Sequence, residues 1–345
     1  MRVKLLVSNC MRFSRIEFRN LSSKKYADNL DSRISFVNVS YFAGKDLEQL
    51  VSTKAAIVDS HGPGKEPRAT IIAVHGSPGS HNDYKYMLPS LEERNIRTIC
   101  INYPGFGFTE GGIEHSYTNN ERNNYVQAVL KSLDIKNSKN IILLGHSRAG
   151  ENSLQLANIL SKEDYDVIAA IPINSTGVRM HRGVRSRYSF IVSLATAIRW
   201  QNPLINFFLY PLLFYFYNNV VGLKVPTGQV AAVSILPLTT FAFAKQRDTI
   251  KELDANEKIK VCFTFGTNDY ILETSVSEEI VNVFEDVKII TENSKTDSLE
   301  EAKEVIRKGQ KNLAVRFIGA SHFLQKTHAP YLVDVIDEYV KNRKV

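Results

Sequence analysis

The most informative segment of the sequence is IILLGHSRAGENSLQLANIL, residues 141–160. It begins with an unbroken apolar run, which is typical of a buried parallel strand, and it ends with apolar residues at helical spacing. Between them, Gly145-His146-Ser147-Arg148-Ala149-Gly150 puts a serine at a sharp strand-to-helix turn with small residues around it. The segment therefore predicts a nucleophilic Ser147 above the end of a sheet. The simpler alternative is a plain glycine-rich turn between a strand and a helix.

A serine becomes a nucleophile only with a base beside it, and the base needs a carboxylate that orients it. Candidates for both follow Ser147, each directly after a strand-like apolar run. Asp269 follows VCFTFG and His322 follows VRFIGA. We therefore predict that Ser147, Asp269 and His322 act together. Other acidic and histidine side chains lie before their strand or near a helix start: Asp248, Asp254, Glu273 and His328.

Backbone N–H groups that face a developing oxyanion contribute several kcal/mol to catalysis. We expect one such donor from Arg148, the residue after the serine. The loop HGSPGS (75–80) is expected to supply the other. Because Pro78 has no N–H group, Ser77 is the natural donor. Alone, this loop would indicate only a tight turn at the end of a strand.

The domain organisation follows from the alternation of strand-like and amphipathic segments. This alternation predicts an α/β fold, with a mostly parallel eight-stranded sheet flanked by helices. It is interrupted within residues 177–245, which we predict to be a helical cap or lid inserted into the core. The core then consists of residues 34–176 and 246–345. Residues 1–33 are predicted to be a separate basic tail or a transit segment.

The inserted segment contains an aromatic-rich stretch, PLINFFLYPLLFYFY (203–217). Its aromatic side chains either pack on the core or form a hydrophobic substrate pocket above Ser147. For the pocket, the candidates are Phe207, Phe208, Tyr210 and Phe214. A third interpretation is contact with an anionic membrane surface, since basic residues precede the aromatic ones. These basic residues are Arg179, Arg182, Arg185 and Arg187.

Five motifs carry a family resemblance: HGSPG, NYPGFGFT, GHSRAG, GTND and GASH, in this order. Together they resemble the α/β-hydrolase superfamily over residues 34–343. The longer stretches HGSPGSHNDYKY, NNERNNYVQAVL and GHSRAGENSLQLAN are similar to a nematode-type family of α/β-hydrolases whose substrate is unassigned. The resemblance implies a fold and a Ser–Asp–His chain order, but no substrate. Epoxide hydrolases and haloalkane dehalogenases share some of these motifs, but they attack with a carboxylate where this chain has Ser147.

The chain departs from the superfamily pattern at two positions. Asn102 stands where aspartate is frequent, and Arg148 stands where an apolar residue or glutamine is usual. The Arg148 guanidinium is expected to pair with Glu151 or Asp83. The alternative is that it binds an acidic group of the substrate.

Composition restricts the partners and the compartment. The chain has 345 residues and a net charge of +7. Residues 1–33 contain eight basic and three acidic residues, so the rest is nearly neutral and a nucleic-acid partner is not expected. Three scattered cysteines indicate neither a disulfide framework nor a metal site. We expect an intracellular protein, cytoplasmic, or mitochondrial if the basic N-terminus is a transit peptide.

These observations predict a serine hydrolase that cleaves a hydrophobic ester or thioester through an acyl-enzyme intermediate. No cofactor and no metal are expected. The expected partner is a small hydrophobic substrate, with peripheral membrane contact as the alternative described above. A different class of function also fits the sequence, namely a hydrolase fold that serves as a ligand-binding receptor or scaffold with slow or no turnover.

Overall fold

The computed structural model describes residues 30–62, 66–111, 115–293 and 297–343. Most of the predicted basic tail, residues 1–29, lies outside these ranges. Within them, one sheet has nine strands in the order β1-β2-β4-β3-β5-β6-β7-β9-β8. The strands are β1 (Ile34–Ala43), β2 (Gln49–Asp59), β3 (Ala69–Val74), β4 (Ile96–Ile101), β5 (Ile141–His146), β6 (Val167–Ile173), β7 (Lys260–Gly266), β8 (Val287–Glu292) and β9 (Asn312–Phe317).

The sheet is antiparallel at one side and parallel elsewhere. β2 pairs antiparallel with both β1 and β4, and the other neighbouring strands pair in parallel. Because parallel strands all end at the same edge of a sheet, the segments that follow β3, β5, β7 and β9 come together there. Ligand sites in open α/β sheets lie at this carboxyl edge.

The predicted α/β class and mostly parallel sheet are confirmed, but the sheet has nine strands rather than eight. The additional strand, β8 (Val287–Glu292), lies at the sheet edge and pairs only with β9. Of its six residues only Ile290 is buried. An edge strand with so little burial lacks the apolar run by which the other parallel strands are recognised, and the sequence prediction missed it for that reason.

Helices cover both faces of the sheet, and each face has its own apolar cluster. Ile72, Leu143 and Phe263 belong to one cluster, and Ile71, Leu144 and Val315 belong to the other. Outside residues 177–245 the helices are α1 (Leu88–Glu93), α2 (Asn119–Ser132), α3 (Gly150–Lys162), α8 (Phe243–Ala255), α9 (Thr274–Val281), α10 (Ser298–Arg307), α11 (Leu324–Thr327) and α12 (Ala329–Lys341), of which α8 begins within the last residues of that segment.

Between β6 and α8 the chain forms helices that are not part of the strand–helix alternation. They are α4 (Arg182–Arg185), α5 (Tyr188–Arg199), α6 (Pro203–Tyr215) and α7 (Gly228–Ile235). A π-helical turn, Phe216–Val221, continues α6. We call residues 177–245 the inserted segment. Among the described residues, the continuous helix Pro203–Val221 is long and apolar enough to cross a membrane, and a bent helix pair, Gly228–Thr239 with Phe243–Ala255, passes the same test of length and composition.

Candidate active site

Ser147 lies at the sharp turn that the sequence predicts between β5 and α3. Its φ angle is +54°, in the left-handed region that few non-glycine residues adopt. The turn is tight enough to require glycine on both sides. A Cβ on Gly145 would lie 2.3 Å from the carbonyl oxygen of Ala149, and one on Gly150 would lie 2.2 Å from Oγ of Ser175. This geometry holds the Ser147 hydroxyl at the carboxyl edge of the sheet.

His322 and Asp269 reach Ser147 from the loops after β9 and β7. Nε2 of His322 lies 3.0 Å from Oγ of Ser147, and Nδ1 lies 2.6 Å from Oδ2 of Asp269. Oδ1 of Asp269 accepts hydrogen bonds from the amides of Ile271 and Leu272, at 2.8 and 2.9 Å. With Asp269 fixed in this way, Nδ1 carries the proton, and Nε2 is free to accept one from the hydroxyl.

Burial acts on the pKa values of His322 and Asp269 in different ways. It lowers the pKa of His322, and the hydrogen bond to Asp269 only partly opposes that effect. It acts to raise the pKa of Asp269, but the hydrogen bond from His322 and the two backbone amides outweigh it, so the pKa of this carboxyl lies below its ordinary value. Both shifts favour a neutral imidazole beside an ionised carboxylate at neutral pH.

Two residues that the sequence analysis missed hold the backbone of His322. The carbonyl oxygen of His322 accepts from Nδ2 of Asn174 at 2.8 Å and from Nε2 of His146 at 2.9 Å. Oδ1 of Asn174 also accepts from the amide of Gly266, at the end of β7. Asn174 directly follows the strand β6, and that position at the carboxyl edge is the signal that could have identified it.

The two residues expected to supply oxyanion donors lie at the same cavity as the serine. Ser77 and Arg148 both line a cavity that also contacts Ser147 and His322. Oγ of Ser77 donates to the carbonyl oxygen of Ser234 at 3.1 Å, which attaches this loop to the inserted segment.

The Arg148 side chain makes the ion pair with Glu151 and not with Asp83. The pair is fully buried, and Nη1 of Arg148 lies 2.9 Å from Oε2 of Glu151. Nη1 also donates to Oδ1 of Asn119, and the remaining nitrogens donate to the carbonyl oxygens of Pro237 and Thr240 at 3.1 Å. The guanidinium therefore connects the serine turn to the inserted segment, and its donors are used within the protein.

Asn102, the second departure from the superfamily pattern, forms hydrogen bonds through both the oxygen and the nitrogen of its side-chain amide. Oδ1 accepts from the amide of His81 at 2.8 Å, and Nδ2 donates to the carbonyl oxygen of Ala56 at 3.0 Å. An ionised aspartate could accept but could not donate, so this position favours asparagine here.

The cavity has a volume of about 520 Å³ and is lined mainly by apolar side chains of the inserted segment. The four aromatic residues predicted for this pocket, Phe207, Phe208, Tyr210 and Phe214, are not among those that line it. The same helix instead turns other residues toward the cavity, because successive side chains of a helix point in different directions. Together with the π-helical turn that continues it, this helix contributes Leu209, Leu212, Leu213, Phe216, Tyr217, Val220 and Val221 to the lining.

The parallel sheet, the serine turn and the Ser–His–Asp hydrogen bonds define an alpha/beta hydrolase. The chain belongs to the family described as "Alpha/beta hydrolase of unknown function (DUF1057)", whose model matches residues 33–341. The family match confirms the predicted superfamily, and a relative from Caenorhabditis elegans confirms the nematode-type resemblance. An uncharacterised protein of Caenorhabditis elegans, F35H12.5, is 39% identical over 317 residues, which cover 91% of this chain and 88% of that protein.

Solved structures of similar fold have different chemistries. A thermophilic esterase from Thermogutta terrifontis is 15% identical, with a TM-score of 0.57 over 89% of this chain and 98% of that one. A haloalkane dehalogenase from Paraglaciecola agarilytica is also 15% identical, with a TM-score of 0.59 over 92% of this chain and 97% of that one. Likeness at this identity shows the fold alone. The family match supports hydrolase activity in general.

Proposed function

We propose that this protein is a serine hydrolase that cleaves a hydrophobic ester or thioester through an acyl-enzyme intermediate. The observation that carries the proposal is the continuous hydrogen-bonded chain from Ser147 Oγ through His322 to Asp269, with distances of 3.0 and 2.6 Å. Ser147 and His322, at one end of this series of hydrogen bonds, line an apolar cavity.

The chemistry follows from the proton positions. Nε2 of His322 accepts the Ser147 proton as Oγ attacks the carbonyl carbon of the substrate. The backbone amides of Ser77 and Arg148 are assigned to the oxyanion that forms. The imidazolium, stabilised by Asp269, then gives its proton to the leaving alcohol or thiol as the bond to the acyl carbon breaks. Water attacks the acyl-enzyme with His322 again as base, which releases the acid and restores the serine.

The hydrophobic character of the substrate is inferred from the cavity lining. Leu209, Leu213 and Tyr217 of the inserted segment line the cavity, together with Ile271, Leu272 and Phe323 of the core. An apolar acyl group that binds to such a surface is removed from water, which stabilises the complex by about 25 cal/mol per Å² of apolar surface buried. Oxygen and sulfur esters share the acyl group that this lining contacts, so both remain within the proposal.

The test is covalent labelling with a fluorophosphonate probe, which reacts with an activated serine. We expect labelling of the wild type and none of Ser147→Ala. Ser77→Ala is the matched control, because it removes another hydroxyl at the cavity but keeps the amide that we assign to the oxyanion. Absence of labelling in folded wild-type protein would contradict the proposal.

The substrate class is tested with short and long p-nitrophenyl esters and the corresponding thioesters. We expect turnover to rise with acyl length until the cavity is filled. A ligand that raises the melting temperature of wild type and Ser147→Ala equally, without any turnover, would instead indicate a receptor.

A further inference from the structure

The inserted segment differs from the rest of the chain in charge. Residues 177–245 contain seven basic residues and no aspartate or glutamate. Arg182, Arg185 and Arg187 are exposed near its start, and Lys224 is exposed near the end of helix Pro203–Val221. Arg185 remains 59% exposed although Glu273 lies 3.6 Å away. Most of this positive charge therefore faces solvent.

The same segment exposes an unusual amount of apolar surface. Eight large apolar side chains of the segment are each more than 60% exposed: Phe190, Trp200, Leu204, Phe207, Phe208, Leu212, Tyr215 and Val220. All but Phe190 and Trp200 lie on helix Pro203–Val221. Single exposed apolar side chains are ordinary, but a contiguous group on one helix marks an interaction surface. We call this group, together with the exposed basic residues, the apolar–basic face.

The cavity at Ser147 is continuous with the apolar–basic face. Leu212 and Val220 line the cavity, yet each is 63% exposed. Phe190 also lines it and is 67% exposed, and the exposed Arg187 lies among the lining residues. A molecule that enters past these residues passes from one apolar surface to another.

We propose that the apolar–basic face docks on an anionic lipid bilayer, and that the substrate is an acyl ester taken directly from that bilayer. The substrate half of this inference rests on the proposed serine hydrolase activity, whereas the docking half does not. Aromatic side chains beside basic ones suit the membrane interface, where the rings enter the acyl boundary and the cations meet anionic headgroups.

Charge favours a bilayer over two other occupants. A second copy of this chain that packed the same face against this one would bring together two segments of seven basic residues and no acidic ones. Residues 1–33 have a net charge of +5 by sequence, so electrostatics also disfavour that segment as a cover. An anionic lipid surface complements both the charge and the apolar side chains.

Docking at the surface fits the packing better than a helix that spans the bilayer. Leu213 and Tyr217, on the same helix as Phe207 and Phe208, are buried against the protein. Crossing a bilayer would expose both to lipid and would dismantle one wall of the cavity. The helix therefore remains with the fold and presents only its outer side to the membrane.

The experiment uses the full chain and its one tryptophan. Trp200 is 72% exposed, directly after α5 and three residues before helix Pro203–Val221, so its fluorescence reports on docking. With vesicles of phosphatidylcholine and phosphatidylglycerol, we expect a blue shift of its emission and co-flotation of the protein. With pure phosphatidylcholine vesicles, or in high salt, we expect binding to weaken several-fold.

The double substitution Phe207→Asn with Phe208→Asn tests the face without touching the cavity lining. We expect vesicle affinity to fall by roughly a hundredfold, because two aromatic rings no longer enter the interface. Turnover of a short soluble ester should stay at the wild-type level. Phe36→Asn is the matched control, since Phe36 is 56% exposed on the edge strand β1 and lies outside the face.

The outcomes separate the two proposals. Vesicle binding without ester turnover would leave the docking intact and overturn the hydrolase. Ester turnover without vesicle binding would overturn the docking alone. A concentration-dependent dimer that Phe207→Asn with Phe208→Asn abolishes, with no binding to vesicles, would show that a second copy covers the face and would also overturn the docking.

Discussion

Nε2 of His146 lies 2.9 Å from the backbone carbonyl oxygen of His322. A carbonyl oxygen can only accept, so Nε2 carries the proton of this hydrogen bond. The two imidazole rings also pack together, with centroids 4.9 Å apart. The residue before the proposed nucleophile thus holds the loop that carries the proposed base, and the distance between hydroxyl and imidazole depends on this contact.

Removing that donor should slow turnover without weakening substrate binding. We expect His146→Phe to lower kcat about ten- to a hundredfold, because small displacements of a reacting group cost this much. KM for a soluble ester should change less than kcat, since most of the acyl-binding lining belongs to the inserted segment and not to the loop of His322. His146→Gln keeps an N–H donor and should restore part of the rate. Equal kcat for wild type and His146→Phe would contradict the positioning role.

The pH dependence follows from the buried imidazole. His322 must be neutral to accept the serine proton, and burial lowers its pKa below the ordinary value of 6.5. Activity should therefore persist at pH 6.5 and fall only as the pH drops through this lowered pKa. The measurement is kcat/KM against pH with a short ester.

The variant Asp269→Asn tests whether His322 is the group that titrates in this pH profile. The carboxylate raises the pKa of His322, so its removal should move the acid limb to still lower pH. The rate should also fall about 10³- to 10⁴-fold, because the amide no longer stabilises the imidazolium or fixes its tautomer. An acid limb that does not move would show that the titrating group is not His322.

The Arg148–Glu151 pair predicts a large effect on stability. Glu151 also accepts from Nδ2 of Asn119 and from Oγ1 of Thr176, all in a buried site. Glu151→Gln would leave the guanidinium without its counter-charge, which costs about 3–5 kcal/mol when a buried pair is broken. Urea denaturation at pH 7 measures the loss.

A surface pair supplies the control for that experiment. Nζ of Lys308 lies 2.6 Å from Oε1 of Glu304, but both side chains are mostly exposed. Solvent screens such a pair, so Glu304→Gln should leave the unfolding midpoint unchanged. If Glu151→Gln also left the unfolding midpoint unchanged, the buried pair would contribute no more to stability than the exposed one.

The sequence was sufficient to predict the residues that lie at strand ends. Ser147, Asp269 and His322 each follow an apolar run, and the parallel sheet brings those ends together. The roles of His146 and Asn174 were not predictable in this way. Both depend on how closely the loop before His322 approaches β5 and β6, which is a property of the packed structure and not of local pattern.

The orientation of the aromatic helix was also beyond the sequence. Its apolar residues occur all around the helix, so periodicity does not distinguish a face toward the cavity from one toward solvent. Packing decides this rotation: Leu213 and Tyr217 are buried, whereas Phe207 and Phe208 are exposed.

Because His75 is buried and neutral, we expect the folded protein to lose stability in acid. Its Nε2 accepts from the amide of Tyr103 at 3.0 Å, while Nδ1 donates to the carbonyl oxygen of Gly76 at 2.7 Å. Burial lowers its pKa to about 4, from an ordinary value of 6.5. The unfolded chain therefore binds a proton as the pH falls below 6.5, and the folded protein does not until about pH 4.

The stability that His75 contributes is complete above pH 6.5 and is lost between pH 6.5 and about 4. Over this window the loss amounts to about 3 kcal/mol, at most about 1.4 kcal/mol per pH unit. His75→Gln can still accept from Tyr103 but cannot titrate, so its unfolding free energy should fall less steeply with acid. His181, whose pKa burial also lowers to about 4, accounts for a further part of the slope. Urea denaturation from pH 7 to 4 tests this, with the exposed His61→Gln as control; equal slopes for His75→Gln and His61→Gln would refute the assignment.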